Sequence, residues 1–209
     1  MTHRAVAEEA KYDDFEIALT VDPIWCEEDE DGPRIDYRGD IRKVEEEDVV
    51  GRVRFFVFHF DTTPWDPADA FDHISETAVY AQLLDEHGDL SPQACKALGT
   101  EDSYLGSVLV FDRLELLPEA RGQGLGLKVL ERLISKFGLG CRIAVMKSFP
   151  LQLEIKGSSK PDEFEQRMAL DAMPGGTDMD VHKRLARYYR RAGFRPVKGT
   201  DHLMVKMLI

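Results

Sequence analysis

The sequence has few cysteines, no overall excess of basic charge and no long apolar run, and each shortfall removes a class of protein. No stretch approaches the roughly eighteen consecutive apolar residues of a helical membrane span, although 43% of the 209 residues are hydrophobic. A chain of this length can bury a sizeable core without covalent staples. Cys26, Cys95 and Cys141 are odd in number, widely spaced and free of any C-x-x-C pair, which argues for a reducing compartment, against structural zinc, and for thiols that act as small buried hydrophobes. The opening MTHRAVAEEAKYDDF lacks the apolar core of an export signal. The expectation is a cytoplasmic protein with no metal and no membrane partner.

The net charge of −12 disfavours nucleic acid as a partner, because phosphate backbones need a concentrated basic face. That mean hides a split. Residues 1–102 hold 9 Lys and Arg against 27 Asp and Glu, a net of −18, whereas residues 103–209 hold 18 against 12, a net of +6. The first half, with its runs Glu27 to Asp31 and Glu45 to Asp48, suits attraction of a cation, and the second half suits an anion. Taken singly, the two runs read as solvated loop or hairpin tips.

The apolar pattern predicts strands first. Phe15 to Val21 reads as a strand closed by Asp22-Pro23, and Ile35 to Val44 with Val49 to Phe60 reads as a hairpin whose second arm is aromatic. Two helices follow. One runs from Ala68 to about Glu86 on the spacing of Phe71, Ile74, Ala78, Ala81 and Leu84, and the other runs from Ser91 to Leu98 behind Ser-Pro. Tyr104 to Leu117 is a long strand ended by Pro118. Gln123 to Phe137 is a helix capped by Gly138, and Cys141 to Met146 is a nearly all-apolar strand that pairs in parallel with the previous one. Lys156 to Asp180 reads as an insertion or lid with a short helix at Asp162 to Ala172. Asp180 then caps a helix that reaches Ala192 with Val181, Leu185, Tyr188 and Ala192 inward, and His202 to Leu208 is the last strand. No internal repeat is present.

The chemistry concentrates between the long strand and the Gln123 helix, in Leu116-Leu117-Pro118-Glu119-Ala120-Arg121-Gly122-Gln123-Gly124-Leu125-Gly126. Glycines at 122, 124 and 126 let the backbone turn tightly and bring N–H groups against a ligand. At a helix N-terminus those amides attract phosphate or pyrophosphate. A nucleotide-binding domain of the P-loop type is excluded because Lys128 lies between Leu127 and Val129, without the hydroxyl that ligates magnesium. The dinucleotide pattern G-x-G-x-x-G fails because Leu127 and Val129 stand where its last glycine belongs.

What remains is R-x-x-G-x-G, Arg121 to Gly126, which resembles motif A of the GNAT superfamily of N-acetyltransferases. Ala186 to Phe194 (ARYYRRAGF) resembles that family's motif B, with Tyr189 four residues before Gly-Phe. The likeness spans about residues 104–208. It implies an α/β fold with a mixed, splayed sheet flanked by helices, built as a single domain over 1–209 with an insertion before the last helix. Residues 1–102 would form a divergent acceptor side and 103–209 the half that binds acyl-CoA.

The resemblance further implies acetyl-CoA as acyl donor, with pantetheine beside Leu116 and Leu117 and pyrophosphate on the amides of Gly122, Gln123, Gly124, Leu125 and Gly126. Arg121 would orient the loop, and Lys128 is either near a phosphate or ordinary helix surface. Tyr189 would protonate the departing thiolate, while Tyr188 belongs to the apolar stripe. By position, Glu115, just before the pantetheine residues, is the first candidate for the base, with Asp112 three residues earlier as the second, each acting directly or through water or else simply facing solvent; His59 and His182 are weaker candidates.

The chain also departs from the family pattern. His182 replaces an asparagine, the strand Cys141 to Met146 has no carboxylate, the insertion is longer than usual, and strands precede helices in the first half. An amine acceptor, cationic by preference, is expected; a non-catalytic acyl-CoA-binding module is the alternative. A homodimer is the general prior for a soluble protein.

Overall fold

The computed structural model describes residues 15–21, 34–44, 48–62, 65–73, 75–153, 162–170, 173 and 175–208. The run Glu27 to Asp31, Cys26 and most of the run Glu45 to Asp48 lie outside these residues. Strands from both halves of the chain join one seven-stranded sheet in the order β1-β2-β3-β4-β5-β7-β6. The members are β1 (Phe15–Val21), β2 (Arg34–Lys43), β3 (Val49–Phe58), β4 (Val108–Leu116), β5 (Ile143–Lys147), β6 (Arg195–Pro196) and β7 (Leu203–Met207). The anticipated parallel pair is β4 with β5, and every other pairing is antiparallel.

Alternation in β3 supplies both faces with core. Val53, Phe55 and Val57 point to one side, where α3 (Leu125–Phe137) and α5 (Asp178–Arg190) cover the sheet; Phe56 and Phe58 point to the other, under α1 (Pro67–Asp72) and α2 (Pro92–Leu98). Helices on both faces explain why β5 reads as a continuous apolar run. The α3 side centres on Phe55, fully buried and stacked on Tyr37 at 4.8 Å, with Phe137 tilted against both rings. A third, small cluster of Leu117, Phe164 and Met168 seats α4 (Glu163–Arg167) over the end of β4.

Several boundaries differ from the apolar pattern. The helix expected over Ala68 to Glu86 is two pieces, α1 and a 3₁₀ segment at Ala78–Leu83. The interruption includes Thr77, which is fully buried and whose hydroxyl donates to the Phe71 carbonyl at 2.7 Å, a side-chain bond that competes with helical continuation. Helix α5 begins two residues before Asp180. Thr177 is its cap and Asp180 is the reciprocal partner of the capping box. Gly138 does end α3, but in a right-handed conformation, and glycine is needed there because a Cβ would fall 2.5 Å from the Ile134 carbonyl oxygen. The short helix expected at Asp162 to Ala172 is only Glu163–Arg167. The strands expected at Val49 to Phe60 and Tyr104 to Leu117 are shorter, and β6 was not legible at all.

One irregularity sets up the site. In β4, Arg113 pairs with Arg54 and Phe111 with Phe55, so Asp112 is an extra residue without a partner on β3. This bulge reverses the phase of the strand. Before it Leu109 and Phe111 face α3, and after it Leu114 and Leu116 do. Arg113 and Glu115 consequently line a shallow concavity on the opposite face with Arg52 and Arg54.

Candidate active site at a fork in the sheet

The ladder between β4 and β5 is short, running from Val108↔Ile143 to Phe111↔Met146. Strand β4 continues for five residues, Asp112 to Leu116, with no strand partner on that side among the described residues. The two parallel strands thus fork at the bulge.

Two tyrosines reach the fork from opposite faces. Tyr80 belongs to the α1–α2 side and is buried; its hydroxyl donates to the carbonyl of Phe111, the last paired residue of β4, at 3.2 Å, and lies by the backbone amide of Lys147. Tyr189 comes from α5 on the other side, half-buried, packed edge-on to Tyr188 at 5.6 Å. Burial raises the pKa of both phenols, and each is close enough to a second phenol or carboxylate to be raised further. At neutral pH both are O–H donors.

Asp112 is the carboxylate of the fork. Burial pushes its pKa above the ordinary range, against the pull of the Arg54 guanidinium at 3.7 Å. Arg54 is held by Asp36 at 2.8 Å and Glu76 at 3.0 Å, and its hydrogen bond to Glu76 lowers that carboxyl to about 2. A carboxylate whose pKa burial raises, beside the Tyr80 phenol at a gap in a sheet, suits proton transfer. Glu115, the other sequence candidate, is buried and accepts from Arg113 Nη1 at 2.9 Å. That ion pair occupies it, and it lies beyond the bulge on the face away from α3.

Asp112 should leave a pH signature. A carboxyl whose folded pKa is raised holds its proton longer in the folded chain, so it contributes stability at acid pH that is lost as pH rises through the folded value. Asp112→Asn does not titrate. Its stability relative to the parent is expected to increase from about pH 4 to pH 7, near and above the ordinary carboxyl range. Urea unfolding at the two pH values measures this, and a decrease would refute the assignment.

The glycine turn follows β4 directly. Gly122 and Gly124 have φ of +75° and +80°, and a Cβ at either would meet nothing within 4 Å, so the glycines are required by backbone conformation and open onto space. Arg121 ties the turn to its surroundings: Nε donates to the Leu116 carbonyl at 2.8 Å and an Nη to that of Met168. Gln123 is tied back to the Glu119 carbonyl at 2.8 Å. Leu125 and Gly126 open α3, and Gly124, in the left-handed region, caps it without a side-chain bond. Leu116 is half-buried against the α3 side, whereas Leu117 is sealed under α4. Leu117 therefore does not line the fork.

Tyr188 is more than the apolar stripe expected of it. Its hydroxyl lies 2.7 Å from where a Gly126 Cβ would stand and takes a hydrogen bond from the Leu127 amide. That amide also donates to the Gly124 carbonyl at 3.0 Å, so the phenol is a second acceptor at the first turn of α3. His182 accepts no catalytic geometry: its Nδ1 bonds the Ser148 carbonyl at 3.0 Å and its ring stacks on His202 at 3.8 Å. His59 is half-buried just past β3, and Lys128 is exposed on α3.

Tyr80 was missed in the sequence because it lies off the helical stripe drawn through its neighbours. Its only signal is a phenol inside an apolar segment, which needs a hydrogen-bond partner when buried. Among the described residues no group of three or more His, Cys, Asp or Glu could hold a metal, and no helix is long and apolar enough to cross a membrane. No model of a known protein family matches the chain, and no curated protein matches it either. The likeness to the GNAT superfamily rests on the two motifs.

Proposed function

We propose that the chain is an acyl-CoA-dependent N-acyltransferase that moves an acetyl group from acetyl-CoA to an amine. The observation that carries this reading is the β4–β5 fork followed at once by a glycine turn in which a Cβ on Gly122 or Gly124 would meet nothing within 4 Å. The fork offers unpaired β4 backbone to an extended pantetheine, and the turn offers amides to the pyrophosphate.

The proposed step is direct transfer. The amine nitrogen attacks the thioester carbonyl carbon, a C–N bond forms and the C–S bond breaks. Asp112 takes the proton lost by the amine, and Tyr189 gives its phenolic proton to the leaving thiolate. A backbone N–H of β4 at the fork is suited to the transient oxyanion. The acceptor would approach from the open face of β2–β4, where Asp36, Glu76 and Asp112 surround Arg54.

A second reading, a non-catalytic acyl-CoA-binding module, is favoured by the ion pair that occupies Glu115. It differs in one respect: acetyl-CoA would bind and no amine would release free thiol.

Calorimetric titration with acetyl-CoA, against desulfo-CoA and NADH, tests both. Acetyl-CoA is expected to bind with micromolar affinity and NADH not at all. Gly124→Trp is expected to weaken binding at least tenfold, since the new side chain projects into the ligand's space and not into protein. An L-residue at this φ costs about 1–2 kcal/mol, which the fold can absorb. Unchanged affinity would remove the turn from the site.

A further inference from the structure

One concavity of this acidic chain is bordered by cations and by no carboxylate among the described residues. Where edge strand β6 meets α2, Lys96, Arg190, Arg195 and Lys198 border a concavity of about 820 Å³ whose apolar lining includes Pro92 and Pro196. All four side chains are exposed, and among the described residues none pairs with a carboxylate. Several basic side chains on and beside the sheet are matched elsewhere: Arg52 with Asp162, Arg54 with Asp36, Arg113 with Glu115, Arg142 with Asp102 and Lys147 with Asp201.

Four like charges around one hollow repel one another, and a net charge of −12 supplies ample carboxylate that could have paired with them. We infer that this concavity is a binding site for a small, multiply charged phosphate ligand. The two guanidiniums offer planar forks that match phosphate oxygens, and the two ammoniums offer point charges beside them. The volume lies in the range of about 300–1,000 Å³ typical of small-molecule sites. A long polyanion is disfavoured, because its phosphates beyond the hollow would face a negative protein. The site is separate from the β4–β5 fork, with β7 between them in the sheet, and does not depend on the acyltransferase reading.

Inorganic tripolyphosphate is the probe, with inorganic phosphate at matched ionic strength as comparison. Tripolyphosphate is expected to bind the full chain and raise its melting temperature, and orthophosphate to bind at least tenfold more weakly. The double variant R195E/K198E is expected to lose at least tenfold in affinity, while Gly124→Trp binds as the parent does. Arg195→Gln and Lys96→Gln, single changes on exposed side chains, are each expected to weaken binding severalfold, so the test stands even if the double reversal fails to fold. Absence of binding to the parent would overturn the proposal. Binding that survives R195E/K198E but disappears in Gly124→Trp would overturn it as well, placing the anion on the glycine turn. A single-stranded oligonucleotide binding more tightly than tripolyphosphate would overturn it in favour of nucleic acid.

Discussion

Tyr189→Phe is expected to reduce acetyl transfer by about 10²-fold or more, the scale of a lost general acid, with acetyl-CoA affinity and stability little changed. The separation follows from the surroundings of the phenol. Its ring packs against Tyr188 and the α3-side core, contacts that phenylalanine keeps, and its hydroxyl makes no hydrogen bond among the described residues. Removing a hydroxyl that has no protein partner is close to neutral for folding. Thiol release under saturating acetyl-CoA reports the chemistry, and titration of the same variant reports binding. Full turnover would exclude Tyr189 as the acid and leave Tyr80, the other phenol at the fork, to be tested by the same change.

Phe55→Ala is expected to cost about 3–5 kcal/mol, the range for deleting a large buried aromatic. Phe55 is fully buried on the central strand β3 and contacts Tyr37, Phe111 and Phe137, so it links β2, β4 and α3 in one cluster. The rings around it come from three rigid elements and cannot collapse into the gap. Urea unfolding would measure the loss, and a change below about 1 kcal/mol, the scale of ordinary surface substitutions and below, would show that the cluster repacks.

Much of this architecture was legible because local pattern and global packing agree. The strands β1 to β5, α2 behind Ser91, and α3 behind the glycine turn all follow from periodicity and capping chemistry, as does the parallel pairing of β4 with β5. The failures come from single side chains that override a pattern. Thr77 takes the Phe71 carbonyl, and the helical stripe through Ala78 and Ala81 becomes a 3₁₀ segment that puts Tyr80 at the fork. Thr177 and Asp180 share a capping box, and only the reciprocal bond tells which of them is the cap. The glycine turn was found in the sequence because its residues are contiguous. The fork was expected only as the splayed sheet that the resemblance implies; that Tyr80 joins Asp112 and Tyr189 near it was not legible, because the three lie far apart in the chain. In the sequence Glu115 was the first candidate for the base and Asp112 the second, and the bulge separates their environments.

The same bulge governs which changes of length the chain can accept. Strand β4 carries two binary patterns of opposite phase, joined at Asp112. Deleting that one residue would restore a uniform alternation in which Leu114 and Leu116 still face α3 and Arg113 and Glu115 still face away from it, so the strand would lose its bulge without inverting. An inserted residue would instead have to be carried as a second unpaired residue or would turn Leu114 and Leu116 to the open face. Between α4 and α5, by contrast, the described backbone pairs with no strand, and added length there costs only loop entropy, which grows slowly. Natural variation in length should therefore collect between the last two helices, and at the middle of β4 the loss of one residue should be better tolerated than the gain of one.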